Sequence, residues 1–246
     1  MGRNTAIYMF DKEKASTLYE DFLHPRNFKE YLKESETGFG EINFDNLLEI
    51  IRNDINRISA KELSVIISFL NKENHFHSIG KDHSTGEKKL QKLYNRLGIT
   101  LLYEVPTSTV CYCYMFQYGN YTHYFPVDQM TDEDIGLTID SKDFLRFNDY
   151  MILLTKQILD SRLDGFEYTF TEHEEKTVSE IKGNSDNRPI LEEVENEFEY
   201  LKKMFNKDNI ATQTVCRAYD FFLCSAAMKS KINADKNTRI VILDSC

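Results

Sequence analysis

Around Gly98 the apolar residues of this chain change period, and that change decides its fold class. Before it they recur with the spacing of about 3.6 residues that marks one face of a helix. Phe44, Leu47, Leu48, Ile51, Ile55 and Ile58 form one such stripe. Ser59-Ala60-Lys61-Glu62 is a capping box that opens a further helix, with Leu63, Ile66, Ile67 and Leu70 on its inner face. Ser84-Thr85-Gly86-Glu87 is a second capping box; Leu90, Leu93, Tyr94 and Leu97 follow, and Gly98 stops the helix. Shorter helical patterns cover residues 12–23 and 25–33. After Gly98 the alternation falls to every second residue, which predicts strands over 99–104 and 108–127, with Gly119-Asn120 as a hairpin turn.

The second half mixes both periods. A short strand is expected over 136–139. An amphipathic helix follows from Ser141 to Leu163, on the strength of Phe144, Phe147, Met151, Leu154 and Ile158. Asp164-Gly165 turns the chain into Phe166-Glu167-Tyr168-Thr169-Phe170, which alternates like a strand. Residues 171–187 are polar, with Gly183-Asn184-Ser185-Asp186-Asn187 as the clearest loop of the chain, and Pro189 opens a helix to about Phe205. A helix over 209–230 is apolar around most of its circumference, which predicts a buried central helix with Cys216 and Cys224 as small core residues. Residues 5–10 and 239–243 are strand-like.

Helices in runs, with strands in the middle and at both ends, predict an α+β fold rather than a repeating βαβ fold. The expectation is a helix-dominated domain. A small mixed or antiparallel sheet, made of the N-terminal strand, the hairpin 108–127 and the C-terminal strand, packs with about eight helices. Residues 1–246 form a single domain on this reading, with 11–98 as a helical subdomain.

Composition narrows the function classes. With 41% apolar and 13% aromatic residues the chain is not intrinsically disordered. The five cysteines, Cys111, Cys113, Cys216, Cys224 and Cys246, are an odd and sparse set, which predicts reduced thiols and a cytoplasmic location. No apolar run approaches the roughly 18 residues of a membrane helix, so no membrane partner is expected. The net charge of −10, without any block of basic residues, argues against nucleic acid. That charge is uneven: residues 171–199 hold ten acidic and three basic side chains, whereas residues 1–130 hold 17 and 15.

The familiar catalytic signatures are missing: there is no G-x-S-x-G, P-loop, G-x-G-x-x-G or C-x-x-C. His173-Glu174-Glu175-Lys176-Thr177 begins like a zinc motif, but Thr177 stands where the second histidine ligand must be. Asp132-Glu133-Asp134-Ile135-Gly136 departs from a calcium loop at Gly136 and again at Asp143.

Three segments remain as candidate sites. The first is the acidic run of Glu172, Glu174, Glu175, Glu192, Glu193, Glu195, Glu197 and Glu199, a partner-binding face for a basic protein. It leads to the favoured expectation: a non-enzymatic, cofactor-free protein-binding domain of inhibitor, immunity or adaptor type. The second is residues 74–89, where His75, His77 and His83 fall within nine residues ahead of a helix N-terminus. Imidazoles so grouped can ligate a metal, and the helix start can hold an anion, so the segment predicts an enzyme acting on a small or phosphorylated ligand. The third is the hairpin. Its alternation puts Tyr112, Tyr114, Phe116, Tyr118, Tyr121 and His123 on one face, a platform for a ring-bearing ligand. The same register puts Cys111 and Cys113 on the other face, away from His123.

Overall fold

A computed structural model describes residues 3–11, 98–107, 136–232 and 238–245, with further helical positions at Glu13, Asp45, Asn46, Glu49, Ile50 and Glu62. Among the described residues four strands form one sheet: β1 (Arg3–Asp11), β2 (Ile99–Thr107), β3 (Gly136–Asp140) and β4 (Thr238–Ser245), in the order β2-β1-β4-β3. Every pairing is antiparallel. The two terminal strands therefore lie side by side in the middle of the sheet, with Ile7 opposite Ile242 and Met9 opposite Ile240. These are the β-branched runs that the sequence places at the chain ends, and pairing centrally suits their apolar character.

Four α-helices lie among the described residues: α1 (Ser141–Ser161), α2 (Glu172–Gly183), α3 (Arg188–Met204) and α4 (Asn209–Lys229). The architecture is the α+β class expected, helix-dominated with a small antiparallel sheet. The other expected helices, the proposed subdomain over 11–98 and the hairpin 108–127 fall largely or wholly outside the described residues. No helix among the described residues is long and apolar enough to cross a membrane.

Ile7, Leu102, Ile139 and Ile240 turn to one face of the sheet and join a single core with α1–α4. The β1–β2 register slips between Ile7 and Tyr8, so that Leu102 and Tyr103 together oppose Ile7 and both reach this core. Tyr8 and Phe10, of opposite parity, are buried as well, as is Ile99 opposite Phe10. β1 is thus buried on both faces. Asp140 and Arg239 are a cross-strand pair with Oδ1 and Nε 3.6 Å apart, too long for a hydrogen bond, so Arg239 Nε stays unsatisfied.

The central helix is α1, not α4. All ten residues from Phe147 to Lys156 are buried, so the middle of α1 is enclosed around its whole circumference, while Lys142, Arg146, Asp160 and Ser161 toward its ends are exposed. Its buried polar residues Asn148, Thr155 and Lys156 break the apolar pattern, yet each makes a polar contact. Asn148 Nδ2 donates to the Ser225 carbonyl at 2.8 Å, and Thr155 Oγ1 donates to the Met151 carbonyl at 2.5 Å. Lys156 Nζ donates to both oxygens of Asp160 at 2.6 and 2.8 Å, lies 3.3 Å from Glu175 Oε1, and sits 4.3 Å from the centre of the Phe170 ring. By contrast α4 keeps an outer face, and Cys216, expected in the core, is exposed on it; Cys224 is buried as expected.

One further expectation is corrected between α1 and α4. Residues 166–170 form no strand; instead Tyr168 and Phe170 pack on α4. The period of two is real but serves packing: Tyr168 stacks on Tyr219 with ring centroids 5.0 Å apart, and Phe170 meets Phe222 edge-on at 5.0 Å. Phe166, the remaining aromatic of that alternation, is 66% exposed. The polar stretch after it opens with α2, and the loop expected at 183–187 falls at the short turn between α2 and α3. Thr171 Oγ1 accepts from Glu174 N at 3.3 Å while Glu174 Oε2 accepts from Thr171 N at 2.7 Å, a reciprocal capping box that satisfies two otherwise unpaired N–H groups. Only Thr177, Val178 and Ile181 of α2 are buried, which is why its apolar periodicity is faint.

Candidate protein-interaction face

The acidic segment is built on α2, a single 3-10 turn (Ser185–Asn187) and α3. Val178 and Ile181 anchor α2, and Ile190, Val194, Phe198 and Leu201 anchor α3, all in the common core. The turn is fixed by Asn184, whose Oδ1 accepts from Asp186 N at 3.1 Å, and by Asn187. The Asn187 Nδ2 donates to the Ile181 carbonyl at 3.2 Å and, at 3.5 Å, to Asp149 Oδ2 of α1. The carboxylates are therefore carried on a firmly seated pair of helices.

The eight glutamates picked out by sequence are not equivalent. Glu174 is the capping residue just described. Glu175 covers the Lys156 ammonium at 3.3 Å. Glu195 Oε2 accepts from Gln157 Nε2 of α1 at 2.8 Å. Glu193 and Glu197 are half-buried, and burial pushes the Glu197 carboxyl above the usual carboxylate range. Glu199 Oε1 accepts from Lys202 Nζ at 2.7 Å, with the same ammonium 5.1 Å from the Phe198 ring centre. Only Glu172 and Glu192 of the eight stand in solvent without a fold-holding contact. Glu192 is 3.7 Å from Arg188 Nε, in a pair whose side chains are 84% and 70% exposed for Arg188 and Glu192. Glu180 joins them on the exposed side, 3.8 Å from Lys176.

The more tightly knit polar group was not anticipated. Asp149 on α1 is buried, pairs with Lys229 of α4 and accepts from Asn187. Burial raises its carboxyl above the ordinary Asp value, against the opposing pull of Lys229 and Asn187. Beside it, Asn148 Oδ1 is buried without a hydrogen-bond partner. The signal available in sequence was an acidic residue, next to Asn148, at the head of the unbroken apolar run Tyr150 to Leu154.

Two tyrosines are perturbed as well. Tyr168 OH donates to Asp164 Oδ2 at 2.5 Å, and this bond, reinforced by burial, pushes the phenol up to about 12. Tyr103 is also raised, mainly by burial, with smaller contributions from Cys224 and Asp220. Burial raises the Cys224 thiol too, leaving it protonated and unreactive.

Among the described residues no group of three or more histidine, cysteine, aspartate or glutamate side chains is placed to hold a metal ion. His75, His77 and His83 lie outside the described residues, as do Tyr112, Tyr114, Phe116, Tyr118, Tyr121 and His123. Comparison with protein-family models, curated proteins and solved structures finds no match for the chain.

Proposed function

We propose that the chain is a single-domain, non-enzymatic protein-binding module, of inhibitor, immunity or adaptor type, whose α2–α3 carboxylates meet a basic surface on a partner protein. The observation that carries this is the sidedness of the two helices. Their apolar residues enter the common core while Glu172, Glu180 and Glu192 stand outward on the same rigid pair. Charge held on a preorganised scaffold speeds encounter with an oppositely charged partner and rejects like-charged ones. The ten acidic residues against three basic ones over 171–199 leave this face negative after its local ion pairs are counted. The free thiols at Cys216 and Cys224 support a reducing, cytoplasmic setting for it.

The test is affinity capture with the immobilised chain at low and at moderate salt, in parallel with a Glu172→Lys/Glu180→Lys/Glu192→Lys variant. A partner recovered at low salt, weakened by salt and lost with the triple variant supports the proposal. A partner retained equally by both proteins under all conditions overturns it.

A further inference from the structure

We draw no further inference here: the strongest candidate, the buried polar seam of Asp149, Lys229, Asn187 and Asn148 where α1, α4 and the α2–α3 turn meet, carries nothing beyond its structural role, because its charged groups are spent on one another and nothing in the structure shows what its unsatisfied atom, Asn148 Oδ1, would hold.

Discussion

Lys229, at the end of α4, sets its ammonium against the carboxylate of Asp149 in the middle of α1, 80 residues earlier in the chain. The Asp149 side chain is only 12% exposed and that of Lys229 27%, so the pair sits at the edge of the core rather than in bulk water. Asn187, from the α2–α3 turn, completes the contact. Three elements that the sequence leaves unconnected are joined through one carboxylate.

Removing the lysine while leaving the acid is therefore costly. For a fully buried pair the loss of one partner is roughly 3–5 kcal/mol. Lys229 is partly open to water, so Lys229→Met is expected to cost about 2–3 kcal/mol near neutral pH. The sign of the pH dependence follows from the raised Asp149 carboxyl. Its protonated form is the one the fold prefers, so that preference is fully present below the ordinary Asp value and fades as pH rises through the folded one. A neutral Asp149 does not need the ammonium. The gap in stability between wild type and Lys229→Met should thus shrink as the pH falls toward that range, measured by denaturant unfolding at pH 7 and at moderately acidic pH. An equal gap at both would show that Asp149 is not the group left exposed by the substitution.

Lys156 poses the opposite case, a lysine whose partners can do without it. Asp160 and Glu175 have side chains 55% and 51% exposed, so water can replace the ammonium for both. Lys156→Met keeps the aliphatic stem packed and the contact with Phe170, and should cost about 1 kcal/mol or less. Lys156→Ala also opens a gap beside Phe170 and should cost about 2 kcal/mol. Thermal unfolding of the two variants separates packing from charge; equal losses would mean that the ion pairs, not the stem, hold α2 against α1.

The capping box at the start of α2 predicts a local effect. Thr171→Ala removes the hydroxyl that accepts from Glu174 N and should cost about 1 kcal/mol. Because α2 buries only three residues, the loss should appear as faster amide exchange in its first turn, with the α1 amides unchanged. Faster exchange spread through α1 as well would place the role of Thr171 in the core instead.

Tyr168 should be among the last phenols to titrate. Its hydrogen bond to Asp164 moves the phenol to about 12, and the stabilisation from that bond is present below the unfolded tyrosine value of about 10 and lost as pH rises through about 12. The difference in ultraviolet titration between wild type and Tyr168→Phe isolates this one phenol. In an Asp164→Asn background the same difference should shift to lower pH. A midpoint unmoved by Asp164→Asn would assign the shift to burial alone.

Much of the fold was legible where one physical signal dominated. The β-branched ends declared β1 and β4, and the stripe Ile190, Val194, Phe198 and Leu201 declared α3, because each face there has a single environment. Legibility failed where local pattern and tertiary role diverge. Thr171-Glu172-His173-Glu174 spelled out a capping box, but a helix with so few buried residues has little periodicity to confirm it. Phe166 to Phe170 alternates because Tyr168 and Phe170 pack on α4, an arrangement that period alone does not distinguish from a strand. The acidic run was visible as charge. Which of its members hold the fold was not, since Lys156 and Gln157 come from α1 and their meeting with Glu175 and Glu195 is a product of packing.

That division decides how the proposed binding face must be probed. Reversing Glu195 or Glu197 would strike the Gln157 contact or a half-buried carboxyl, and a loss of binding would report on folding as much as on recognition. Glu172, Glu180 and Glu192 are exposed, and the ion pairs of the last two, at 3.8 and 3.7 Å, are surface pairs worth about 0–1 kcal/mol each. Their reversal should leave the melting temperature nearly unchanged. Each substitution adds two units of charge, so the triple variant takes the net charge from −10 to −4. If a basic partner is steered by this face, association should slow by roughly tenfold or more at low salt, and the difference from wild type should close as salt is raised. Dissociation should change less, because rim charges act chiefly on the encounter. A variant that melts normally and associates at the wild-type rate in low salt would remove the α2–α3 carboxylates from any account of what this protein binds.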